Sequence, residues 1–110
     1  DACAVCTLPI RKLLVASHII PWATDTTLRL NPTNGICLCV LHDKAFDRHL
    51  LSISPDYTIH IHATVTHHQP NPAVQQHLLA YHNQPLHLPD LWHPNPELLP
   101  QQAVGHAPRA

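Results

Sequence analysis

The apolar positions fall into short runs separated by turn-forming residues. Leu13 to Ile20 is an apolar run that becomes β-rich towards its end and is stopped by Pro21. Thr24 to Thr33 is polar and turn-prone, a loop of about ten residues, long enough to point to a function. Asn34-Gly35 is a strong turn signal, and Ile36 to Cys39 reads as the strand returning from it. Strand alternation sets Cys37 and Cys39 on one face and Ile36 and Leu38 on the other. Leu41 to Arg48 contains no breaker, and Leu41, Ala45 and Phe46 recur at helical spacing. Leu50 to Ser54, a turn at Ser54-Pro55-Asp56 and a strand over Thr58 to Val65 make a hairpin, with Ile59, Ile61, Ala63 and Val65 on one face. Beyond it the prolines allow one helix, Ala73 to His82, in an otherwise extended or turned segment. Gln101 to Ala110 has no periodicity and reads as mobile or linker. No internal repeat is found. The pattern predicts an α+β fold in the order strand, loop, strand, helix, hairpin, then a tail with one helix.

A length of 110 residues suits one domain, or one domain with a tail, and 45% hydrophobic content is enough for a compact core. The net charge of −1 excludes a protein that coats nucleic acid by charge alone. No apolar run is long enough to span a bilayer and no signal peptide precedes the first strand, so a soluble, cytoplasmic domain with no membrane partner is expected. Starting at Asp1 and lacking Met, the chain reads as a piece of a longer or processed protein. Residues 66–110 are rich in Pro, His and Gln, whereas every acidic residue but Asp90 and Glu97 lies before them. The cysteines form two close pairs, Cys3-x-x-Cys6 and Cys37-x-Cys39. Two disulfides in a secreted chain would fit that count. A CxxC pair facing a second pair beside a histidine suits tetrahedral zinc better, and a small domain gains from such a staple.

Three polar elements converge in this order: His18 ends the first strand, Asn34 precedes the second, and His42-Asp43 opens the helix. Ser17-His18-Ile19-Ile20-Pro21-Trp22, Asn31-Pro32-Thr33-Asn34-Gly35 and Leu41-His42-Asp43-Lys44-Ala45-Phe46-Asp47 together resemble the HNH endonuclease superfamily. The likeness is to its restriction-type branch and covers residues 3 to about 54. It extends in weaker form into Tyr81 to Pro89, similar to the end of restriction enzymes that carry this domain at their C-terminus. The resemblance implies a small ββα-metal (His-Me finger) unit with a structural zinc site. It divides the chain into a nuclease domain over 1–65, an extension over 66–100 that packs on it, and a flexible tail over 101–110.

The implied activity is metal-dependent hydrolysis of double-stranded DNA, leaving 5′-phosphate and 3′-hydroxyl ends, within a restriction or defence enzyme. A histidine near neutral pKa is the natural base for the attacking water, and by the resemblance that base is His18. Asn34 matches the family asparagine that fixes the loop and orients the base. Counting from Asn34 as relatives do gives Cys39, His42 and Asp43. Cys3, Cys6, Cys39 and His42 then hold zinc, while Asp43 binds catalytic Mg²⁺ or Mn²⁺. Asp47, on the same helix face as Asp43, reads either as a phosphate-side group or as an exposed carboxylate. Two positions depart from the pattern. Ser17 stands where many relatives carry an acidic metal ligand, and Asp43 where a histidine is common. A second assignment therefore stays open, with His42 on the catalytic ion and Cys37 completing a four-cysteine zinc site. Trp22 and Phe46 read as core residues, and His60 and His62 as solvated positions on one hairpin face. His49 stands where relatives often have Gly. With so few cations before the tail (Arg11, Lys12, Arg29, Lys44 and Arg48), specificity is expected from another domain of the parent chain or from a homodimer. The rival class is a zinc-stabilised nucleic-acid-binding or protein-interaction module without catalysis.

Overall fold

The structure is a computed structural model in which residues 1–19, 34–89 and 93–100 are described. The expected loop over Thr24–Thr33, Trp22 and the expected tail over 101–110 lie outside these residues. Strands β1 (Leu14–His18) and β2 (Gly35–Cys39) pair antiparallel, with Leu14 opposite Cys39 and His18 opposite Gly35. Helix α1 (Val40–Asp47) starts where β2 stops, with Cys39 at its N-cap, and packs on β1 and β2. It buries His42, Ala45, Phe46 and Asp47.

The exit from α1 is built by the backbone. The His49 N–H donates to the Phe46 carbonyl at 3.2 Å and the Leu50 N–H to the Ala45 carbonyl at 2.9 Å. This paired closure requires a left-handed residue between helix and strand. His49 supplies it at φ 62, doing what a glycine does more readily.

Strands β3 (Leu51–Ile53) and β4 (Ile59–Ile61) form the expected hairpin. Its turn closes through the Tyr57 N–H to the Ser54 carbonyl, and Tyr57 takes the left-handed position at φ 64. The second arm is shorter than the alternation over Thr58–Val65 predicts. The His62 side chain accepts from the Thr64 N–H, and the Val65 N–H donates to the His62 carbonyl. These local bonds wind 63–68 into a 3₁₀ turn that still buries Val65.

Helix α2 (Pro72–His77) is also shorter than the expected Ala73–His82. Asn71 caps it through the N–H groups of Ala73 and Val74, and Pro72 occupies the first turn, where its missing donor does no harm. It stops at Leu78 because the chain is drawn to the hairpin. The Ile61 N–H donates to His82 Nδ1, the Asn83 N–H to the Ile59 carbonyl and the Ile59 N–H to the Gln84 carbonyl. A 3₁₀ turn over Leu79–Tyr81 bridges the two. The chain then runs back to the N-terminal segment, where the His87 N–H meets the Ala4 carbonyl at 2.8 Å. Leu86, Leu98 and Leu99 join Val5, Ile19, Leu38 and Phe46 in one core cluster. The result is a small mixed α/β structure whose short elements are tied together by the N-terminal segment and residues 84–87. No helix among the described residues is long and apolar enough to cross a membrane.

Candidate metal centre and active site

The Cys3–Cys6 segment is a tight knuckle. The Thr7 N–H donates to the Cys3 carbonyl at 2.8 Å and the Cys3 N–H to the Leu8 carbonyl at 3.0 Å. The Ala4 N–H donates to the Cys37 carbonyl at 2.8 Å, which fastens the knuckle to β2. Cys39 leaves β2 at its end and His42 follows three residues on, in the first turn of α1. One ligand-type atom from each of Cys3, Cys6, Cys39 and His42 therefore falls within 4.8 Å of all the others. Cys37 is not in this group. It is half-buried and lines a cleft of about 400 Å³ with Asp1, Gly35 and His87.

The donor set and its spacing fit a tetrahedral ion. With Zn–S near 2.3 Å and Zn–N near 2.1 Å, sulfurs sit about 3.8 Å apart and sulfur to nitrogen about 3.6 Å. Cys6 and Cys39 sulfurs are 3.9 Å apart, and His42 Nδ1 lies 3.6 Å from Cys3 and 3.3 Å from Cys39. That sulfur separation is far beyond a disulfide bond of about 2.05 Å, and all four cysteines are free. The disulfide alternative is thereby set aside.

The local electrostatics favour ionised sulfur at Cys3 and oppose it at Cys6. Burial opposes a charge on Cys3, but hydrogen bonds from His42 and from the backbone N–H groups of Cys6, Cys39 and Val5 outweigh it and bring the thiol down to about 6. Cys6, with burial leading and Cys3 and Cys39 adding repulsion, is pushed up to about 12. Burial disfavours charge on His42 too, yet its bonds to Cys3 and to the His77 carbonyl raise it above the usual imidazole value. Thiols held this close ionise together only when a cation replaces their protons.

Thr7 takes φ 63, a left-handed conformation in which a β-branched residue is strained. Relief of about 1–2 kcal/mol, less the added freedom of an unfolded Gly, makes Thr7→Gly stabilising by about 0.5–1 kcal/mol. A rise of about 4 °C in the melting temperature of the metal-loaded chain is the expected result. An unchanged or lower midpoint would show that Thr7 is unstrained.

The proposed catalytic residues lie on the other side of α1's first turn. Ser17, fully buried, donates from Oγ to Asp43 Oδ1 at 2.5 Å. Half-buried His18 ends β1 opposite Gly35. The Ile19 N–H donates to the carbonyl of fully buried Asn34 at 2.8 Å. Ser17 in β1 thus reaches Asp43 on one side of His18, and Ile19, just past the strand, reaches the Asn34 backbone on the other. Helix α1 turns His42 to the cysteines and the next residue, Asp43, to β1.

Asp47 is buried rather than the exposed carboxylate that the sequence also allowed. His60 is half-buried, its ring 6.0 Å from that of His82, while exposed His62 meets Thr64. His67 and His68 are exposed. Two contributors were missed. Ser17, in the sequence only a departure from the pattern, lies in β1 and donates across to Asp43 in α1. The His77 carbonyl on His42 Nε2, at 2.8 Å, has no signal in a side-chain pattern.

The family model for HNH endonucleases matches residues 3–54. That stretch holds β1, β2, α1, β3 and every candidate ligand and catalytic residue, and the match supports membership of the HNH endonuclease superfamily. No curated protein matches the chain.

Proposed function

We propose that the chain is a metal-dependent DNA endonuclease domain of the ββα-metal type, in which His18 is the general base. The observation that supports this best is the triplet Ser17-His18-Ile19 at the end of β1, whose outer members bond to Asp43 and to the Asn34 backbone on either side of His18 within the HNH-matched stretch. Cys3, Cys6, Cys39 and His42 would hold zinc, fixing the knuckle against α1. Asp43 would hold Mg²⁺ or Mn²⁺, suited to a hard carboxylate oxygen, and when bound that ion supplies positive charge to the leaving 3′ oxygen. Ser17 orients the Asp43 carboxylate by donating to it. Asn34, anchored through its carbonyl to Ile19, fixes the start of β2 beside His18. His18 takes the proton of the attacking water, a role for which a rigid strand end is well suited.

The catalytic unit spans 1–65, with 66–100 packed on it and 101–110 as a tail. The six Lys and Arg of the whole chain give few phosphate contacts. Recognition of double-stranded DNA is therefore assigned to another domain of a longer cytoplasmic restriction or defence enzyme, or to a homodimer.

The test of the metal assignment is plasmid nicking by the zinc-loaded chain across a Mn²⁺ series. Asp43→Asn should lower the rate about a hundredfold, the loss of several kcal/mol of charge stabilisation, with zinc content unchanged. DNA binding without any nicking by the unaltered chain would support the non-catalytic module, for which the neutral Ser17 in an acidic position is the favouring observation.

A further inference from the structure

The HNH-matched stretch ends at residue 54, yet one of its zinc-type ligands is completed from beyond it. His42 Nε2 lies 2.8 Å from the carbonyl of His77, the last residue of α2, and the His42 ring meets Tyr81 edge-on with centroids 5.5 Å apart. A carbonyl only accepts, so Nε2 carries the proton. In the neutral ring, the form that binds a metal, Nδ1, facing Cys3 and Cys39, is then the nitrogen with the lone pair. The last carbonyls of a helix lack intrahelical partners, which leaves His77 able to play this part.

We propose that segment 72–81 is the outer wall and gate of the metal centre. It fixes the ligating tautomer of His42 and covers its ring, so that metal leaves only when the segment undocks. The segment is suited to move separately from the core. None of its residues is fully buried, and it is held through partial burial of Val74, Leu78, Leu79 and Tyr81. Such shallow contacts open locally at lower free energy than a core does. By linkage, a bound ion that holds His42 also holds the segment in place. The inference rests on the metal centre alone and stands whether or not the domain cuts DNA.

The test is the rate of zinc transfer from the fully loaded chain to excess chromophoric chelator. Tyr81→Ala should accelerate release about tenfold, the usual scale for losing a group that supports a ligand, and Tyr81→Phe, which keeps the ring, should not. Asn71→Ala removes the α2 cap at an exposed position and should accelerate release about fivefold. Val65→Ala, a core truncation in the 63–68 turn, should leave the rate unchanged. The His42 Nε2–H resonance should exchange slowly in the unaltered chain and broaden in Asn71→Ala. Should Tyr81→Ala fail to fold, Asn71→Ala decides. Release within about twofold of the unaltered rate in the Tyr81→Ala and Asn71→Ala chains overturns the gate, and so does equal acceleration by Val65→Ala, since release would then track global unfolding.

Discussion

Removing the metal is expected to abolish the cooperative fold. Three of the four candidate ligands, Cys3, Cys39 and His42, are buried within the structure rather than hung on its surface. The knuckle, β2 and α1 meet at this cluster. A structural zinc contributes about 10–16 kcal/mol of apparent binding free energy, comparable with the whole stability of an ordinary domain, about 5–15 kcal/mol. Chelation at neutral pH should therefore remove the thermal unfolding transition seen by circular dichroism. Cys39→Ser and His42→Ala should prevent metal loading and reproduce that state. Reductant alone should change nothing, because no cysteine is in a disulfide. A cooperative transition that persists in the stripped chain would contradict the placement of the centre at the junction of these elements.

Much of this arrangement is legible in the sequence because it depends on short-range rules. The turn at Asn34-Gly35, the alternation through Ile36 to Cys39 and the unbroken run from Leu41 to Arg48 define strand and helix without reference to the rest of the chain. Counting from Asn34 then names Cys39 and His42, which the fold brings beside Cys3 and Cys6. What the sequence hides is set by distant contacts. Val65 keeps strand alternation yet lies in a 3₁₀ turn, because the His62 side chain captures a backbone N–H. Leu78 ends α2 early because His82 and Asn83 bond to the edge of β4. Ser17 departs from the family pattern when read alone and becomes intelligible only as the donor to Asp43. The His77 carbonyl is backbone, so no residue type announces it.

The second large effect is expected at His18. Loss of a positioned general base removes about 10²–10⁴-fold of rate, and little else should change. His18 is half-buried at the end of β1, and its strand pairing runs through backbone groups that alanine retains. His18→Ala should therefore load zinc and melt like the unaltered chain while its cleavage rate falls by that factor. Ser17→Ala offers the contrast. It leaves the base in place and frees the Asp43 carboxylate, so it should weaken Mn²⁺ dependence more than the rate at saturating metal.

The most direct measurement is nicking of supercoiled plasmid by the zinc-loaded chain and by His18→Ala, with and without added Mg²⁺ or Mn²⁺ and with zinc content determined in the same samples. The account predicts nicking that requires the added ion and is lost in His18→Ala at equal zinc content. Equal nicking by both chains would contradict the assignment of the base, and DNA binding without nicking by the folded, zinc-loaded chain under any ion would contradict the nuclease reading itself.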